Sequence, residues 1–118
     1  PLSLKSAILN YDKIDSNKSK KYLLIGDMLE LGNHSKKLHE SIAPIINRTK
    51  IDKVFVKGNK VSFIFNKLSK FKKGRILNNK SQIIELIRND LNNNDYLMIK
   101  ASNATGFNKI VNELKGLN

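Results

Sequence analysis

Two runs of four apolar residues, Tyr22-Leu23-Leu24-Ile25 and Tyr96-Leu97-Met98-Ile99, constrain this chain more than any other feature. A strand with no polar alternation needs cover on both faces, the condition of a parallel sheet held between helices. The residues around these runs carry helical spacing instead. Leu4, Ala7, Ile8 and Tyr11 form a stripe after Pro1, with Ser3 expected as its N-cap. Leu38, Ile42, Ile45 and Ile46 form a second stripe, in which Pro44 predicts a kink or a break near Ala43. Val54-Phe55-Val56 reads as another strand, ended by Gly58-Asn59, and Val61, Ile64, Phe65 and Leu68 as a third helix. Arg75-Ile76-Leu77 is a weak strand. Asn79 with Gln82 resembles a capping box opening a helix faced by Ile83, Ile84, Ile87 and Leu91. A turn at Asn92–Asp95 precedes the second apolar run, and Phe107, Ile110, Val111 and Leu114 predict a closing helix.

Strands alternating with helices predict an α/β fold, a Rossmann-like three-layer domain with a mainly parallel sheet and helices on both faces. With 118 residues, no internal repeat and no long linker, residues 1–118 read as a single domain. The chain begins at Pro1, and it is expected to be a fragment of a longer polypeptide. No apolar run approaches the roughly 20 residues of a membrane span, so no membrane partner is expected. The chain has no cysteine, which excludes disulfides and thiolate metal sites and fits a reducing cytoplasm.

The net charge of +12 invites a nucleic-acid reading, because cations on a protein displace counterions from phosphates. The cations are nearly all lysines spread through every segment, with Arg48, Arg75 and Arg88 the only arginines. Arginine forks and interleaved aromatics, which read bases and backbones, are absent, so no nucleic-acid partner is expected. A stand-alone basic α/β binding module for nucleic acid or an acidic partner is the alternative to the reading below.

In open α/β sheets ligands bind beyond the carboxyl ends of the strands, which singles out the loops 26–32, 58–60 and 100–106. The first reads Gly26-Asp27-Met28-Leu29-Glu30-Leu31-Gly32. Asp27 and Glu30 could hold Mg²⁺, accept hydrogen bonds from an ammonium or a ribose, or do acid–base work. Equally, Asp27 could cap the turn that follows and Glu30 be solvated. Three large hydrophobes around them predict that the loop packs against sheet, helix or a neighbouring domain. In the third loop, Lys100 followed by Ala101, Ser102 and Asn103 could clamp a carboxylate or phosphate near a helix N-terminus, and Ser102 or Asn103 could cap that helix as well. His34 and His39 are five apart and do not share a helix face, so no metal site is expected; His39 reads as half-buried beside Ile42 and Ile46. No phosphate-binding glycine loop or local nucleophile motif occurs, so no residue of this chain is expected to be catalytic.

The stretch YLLIGDMLELG from Tyr22 to Gly32, with Ser35 and Leu38-His39 after it, resembles the GDM-x-ELG-x-x-S-x-x-LH signature of the C-terminal domain of the MurF ligases. These belong to the Mur ligase family and add D-Ala-D-Ala to the UDP-MurNAc-tripeptide precursor of peptidoglycan. Pro1-Leu2-Ser3-Leu4, Ile51-Asp52-Lys53-Val54 with Val56 and Gly58, and Lys100-Ala101-Ser102 resemble further family elements in order. Ala101 stands where the family has glycine, which could narrow the approach of a ligand backbone, and Phe107 where a methionine is usual. The C-terminal domain of another Mur ligase is a further alternative, against which the ELG-x-x-S-x-x-LH stretch argues.

The resemblance implies a cytoplasmic, bacterial, ATP-dependent amide ligase of cell-wall biogenesis. Such enzymes phosphorylate the precursor's terminal carboxylate, and the amine of D-Ala-D-Ala then attacks the acyl phosphate. ATP and Mg²⁺ would be held by a central ATP-binding domain, the principal partner of this segment, and the fragment alone is expected to be inactive and to bind neither. By motif position, Lys100, Ser102, Asn103 and Phe107 are expected near the dipeptide, and Asp27, Glu30 and His39 on the interface or nucleotide side.

Overall fold

The structure, a computed structural model, describes residues 2–27 and 35–101. Helix α1 (Leu2–Asp12) leads into β1 (Lys21–Gly26), α2 (Ser35–Asn47), β2 (Lys53–Lys57) and α3 (Ser62–Lys67). A 3₁₀ turn at Lys70–Lys72, β3 (Lys73–Ile76), α4 (Lys80–Glu85), a π turn at Leu86–Asp90 and β4 (Tyr96–Lys100) follow. The strands are all parallel in the order β3-β2-β1-β4. The expected α/β architecture is therefore present; the closing helix at 107–114 lies outside the described residues.

The register separates two cores. Leu23, Val54 and Met98 share one row, and with Ile25 and Val56 they pack under Leu4, Ile8, Ile42, Ile46 and Ile64 from α1, α2 and α3. On the opposite face Tyr22, Leu24 and Phe55 pack with Leu77, Ile83 and Leu86 beneath α4. All of β1 is buried, as its unbroken apolar run requires.

Local expectations are corrected at four places. Helix α1 already includes Leu2, so Ser3 lies inside its first turn instead of capping it; docking of the Leu4–Ile8–Tyr11 stripe carries the helix back. Helix α2 runs unbroken through Pro44. The ring removes a hydrogen bond to the carbonyl of Glu40, but Pro44 is exposed while Ile42, Ala43 and Ile46 around it are buried, and this docking holds the axis together. The weak strand covers Lys73–Ile76 instead of residues 75–77, with a register irregularity against β2 between Val54 and Val56. Gly74 is required there, because a Cβ would stand 2.6 Å from the Phe55 ring. The helix faced by Ile83 widens to a π turn after Glu85, closed by Leu91 N donating to the carbonyl of Leu86 at 3.2 Å.

The amino ends of the strands are closed by buried polar contacts. Tyr11 Oη donates to the carbonyl of Tyr22 at 2.8 Å, and burial pushes its phenol well above the ordinary range. Lys21, 4% exposed, donates Nζ to the carbonyl of Asp12 at 2.8 Å and so satisfies the end of α1. Burial also raises the Tyr22 phenol, helped by Asp95, Asp90 and Asp52, and lowers the Lys72 ammonium.

Candidate functional site at the carboxyl edge

The chain moves outward from β1 to β2 and β3, then crosses back to place β4 on the other side of β1. The order reverses between β1 and β4, the point at which open α/β sheets characteristically form a ligand crevice; the loops that follow these two strands lie outside the described residues. Asp27 follows the last residue of β1, and Lys100 ends β4 in register with Ile25. Two of the residues singled out in the sequence thus stand on neighbouring strands at the mouth of that crevice.

Asp27 has a task that its position in the sequence hides. Its Oδ1 accepts hydrogen bonds from the backbone N–H of Lys60 and of Val61, both at 2.9 Å. These groups open the first turn of α3, whose N-cap position, Val61, offers no side-chain acceptor. A carboxylate across the strand pairing therefore does the work of a cap. Asp27 thus caps α3, which follows β2; the turn that follows Asp27 in the sequence lies outside the described residues.

Gly58 completes the arrangement. Its φ is +129°, a conformation that side chains rarely adopt, and an added Cβ would stand 2.6–2.7 Å from the carboxylate of Asp27. Gly58 had read as a strand terminator in one of the three candidate loops; nothing in its local sequence signals the carboxylate against it. Its loop forms one wall of an open cleft of about 290 Å³, with Lys57, Asn59 and Ser62 on that side and Ile76, Leu77 and Asn78 on the other. The far wall is held by the α4 cap, in which Gln82 N donates to Asn79 Oδ1 at 3.0 Å. The Gln82 side chain reaches back to Asn78 N at 2.6 Å, one residue before the position a capping box would use.

Along β4, Met98 packs with the α1–α3 core while Ile99 and Ala101 pack with the α4 core. By strand alternation Lys100 leaves the sheet on the Met98 side, partly buried in the row of Ile25 and Val56. Ala101 packs against the cluster of Tyr22, Leu24 and Phe55. The methyl that stands where the family has glycine therefore makes a core contact. His39 lies in the second turn of α2; its side chain, and Glu30, Ser102, Asn103 and Phe107, are outside the described residues.

The described part of the edge thus offers a partly buried cation, Lys100, and exposed loop backbone at Gly58 and Asn59, groups that an anion or a polar ligand could use. Among the described residues no group of three or more His, Cys, Asp or Glu side chains could hold a metal ion. Asp27 Oδ1 is engaged with backbone N–H groups, and Glu30, its proposed partner in the sequence, lies outside the described residues.

Comparison with known proteins places this geometry. The chain is 32% identical over 117 residues to the UDP-N-acetylmuramoyl-tripeptide--D-alanyl-D-alanine ligase of Bacillus subtilis (strain 168), covering 97% of this chain and 25% of that protein. It is 30% identical over 115 residues to the enzyme of the same name from Rickettsia prowazekii (strain Madrid E), covering 94% and 24%. A crystal structure of MurF ligase from Thermotoga maritima in complex with ADP shares the fold, with a TM-score of 0.67 at 24% identity over 94% of this chain and 24% of that one. No protein-family model matches the chain. The chain spans about a quarter of the length of the relatives it matches.

Proposed function

We propose that this chain, a homologue of the MurF ligases over about a quarter of their length, is the C-terminal domain of such an enzyme. In this reading it closes over a central ATP-binding domain and completes the site where D-Ala-D-Ala joins the UDP-MurNAc-tripeptide. The observation that carries the reading is that the match spans 97% of this chain, in a fold shared with a MurF ligase.

The parts then have distinct tasks. Lys100, partly buried at the crevice mouth, offsets the carboxylate of the incoming dipeptide. Ser102 and Asn103 hydrogen-bond the dipeptide and Phe107 walls it. Asp27 fixes the β2–α3 loop against the end of β1, so that the segment carrying Glu30 leaves from a defined point toward the facing domain. His39, early in α2, belongs to the same side. ATP and Mg²⁺ fall to the central domain in this reading. Closure of one domain on the other excludes water from an acyl phosphate that water would otherwise hydrolyse.

The test of identity is substrate-dependent phosphate release by the intact enzyme. With ATP and the UDP-MurNAc-tripeptide present, D-Ala-D-Ala is expected to stimulate phosphate release and amide formation. Stimulation by a single amino acid instead of the dipeptide would assign the chain to another Mur ligase, and none by either would remove the ligase reading.

A further inference from the structure

The connections that feed the strands, residues 13–20, 48–52, 68–72 and 91–95, meet at the amino edge, opposite the crevice. Hydrogen bonds stitch them together. Lys50 N donates to Asp12 Oδ1 at 2.7 Å, and Lys72 Nζ donates to the carbonyls of Thr49 and Ile51 at 2.7 Å each. Ser69 N donates to Asn47 Oδ1 at 2.8 Å, and Lys20 N to Asp95 Oδ1 at 3.0 Å. The edge is one platform, not a set of independent loops.

Its two signs of charge are employed differently. The carboxylates turn onto backbone N–H groups: Asp12 onto Lys50, Asp15 onto Asn17, Asp52 onto Lys21, Asp95 onto Lys20 and Asn92. The side chains of Lys13, Lys18, Lys20, Arg48, Lys50 and Lys70 are exposed beside them. The ion pair found among the described residues, Arg75 with Asp90 at 2.7 Å, uses none of these cations. In their midst Phe71 is 85% exposed, on a turn whose carbonyl accepts Lys53 Nζ at 2.9 Å. Ile14, 44% exposed, stands on the connection into β1, and Tyr96, 38% exposed, is the first residue of β4.

We infer that the amino edge docks reversibly on an anionic lipid bilayer. The cations lie over the headgroup phosphates, and Phe71 and Ile14 enter the interfacial layer. Charge complementarity sets the sign of the partner, and the apolar tips select a surface they can enter. Lysine suits diffuse attraction of this kind, because it is a compact, hydrated point charge. A nucleic acid would call for arginine forks or a groove of stacked rings, whereas Arg48 is the one arginine among these cations and Ile14 is aliphatic. Docking on a surface requires no spanning segment. The carboxyl edge stays open, and the inference does not depend on the ligase reading.

The experiment is co-sedimentation of the intact protein with vesicles of phosphatidylcholine alone or doped with phosphatidylglycerol. Binding is expected to the doped vesicles only, and to weaken as salt is raised. Joint Lys50→Glu and Lys70→Glu substitution is expected to lower the partition about tenfold or more. Phe71→Ala is expected to lower it roughly three- to tenfold, because its apolar contact is lost. Both changes are at exposed side chains, and an unchanged melting temperature confirms that folding is intact. Equal binding to both vesicle types, no binding, or binding indifferent to these substitutions overturns the inference. So does an oligonucleotide that binds more tightly than the doped vesicles and is indifferent to Phe71→Ala.

Discussion

At the scale of single residues, Asp27 and Gly58 act as a pair. A capping carboxylate contributes about 1 kcal/mol, so Asp27→Ala is expected to lower the stability of the protein by about that much in urea unfolding, and Asp27→Asn by less. Gly58→Ala brings a methyl against the carboxylate and a strained φ. Its cost is expected to shrink in the Asp27→Ala background, where the carboxylate is gone and only the backbone strain remains. Equal costs in both backgrounds would mean that the contact is relieved some other way. None of this was legible in the sequence. The N–H groups that Asp27 holds lie 33 and 34 residues away, and only the pairing of β1 with β2 brings them together. The apolar residues were legible, because burial follows spacing directly: Ile42, Ile46, Ile64 and Ile83 were all assigned to the buried face and all are.

At the scale of elements, the readable ones carried their own pattern. Strands β1 and β4 announced themselves as apolar runs, and α2 and α3 as stripes. Strand β3 was placed two residues late because Lys73-Gly74-Arg75-Ile76 carries a single large apolar side chain; its position is set by β2 and by the room Gly74 leaves for Phe55. The cations on this short edge strand also discourage pairing with another chain. The π turn was invisible, since Ile83, Ile87 and Leu91 fit an α-helix equally well. Pro44 shows docking overriding local preference. Replacing it with alanine restores a donor for the carbonyl of Glu40, at some loss of the rigidity proline gives the unfolded chain, and is expected to stabilise the protein by about 1–2 kcal/mol. A lower melting temperature for Pro44→Ala would show that the ring itself makes a contact the helix needs.

At the scale of the whole molecule, the two edges of the sheet differ among the described residues, with an open cleft beside Gly58 at one and a hydrogen-bonded platform at the other. The platform sets the response to pH. Backbone N–H groups of Asn92 and Lys20 hold the Asp95 carboxyl below its usual range. The stability it supplies is present above the ordinary carboxylate pKa and is lost as pH falls through the lowered one, so Asp95→Asn is expected to flatten the acid limb of a melting-temperature profile. Tyr11 and Tyr22 act in the opposite direction. Their raised phenols supply stability below about pH 10, the ordinary phenol value, and that stability is lost as pH rises beyond it. The fold class was legible at this scale because alternating strands and helices admit few arrangements. The position of the two residues was legible in part: Asp27 and Lys100 do stand at the same edge of the sheet, but Asp27 is engaged in holding α3.

The most direct test of the crevice as half of a dipeptide site is the steady-state kinetics of Lys100→Ala in the intact enzyme, with Lys100→Arg beside it. Loss of one charge-assisted contact is expected to raise KM for D-Ala-D-Ala roughly ten- to a hundredfold. Partial recovery is expected in the arginine variant, and KM for ATP is expected to stay unchanged. If KM for the dipeptide and kcat both remain at the wild-type values, Lys100 does not clamp the dipeptide and the site lies elsewhere.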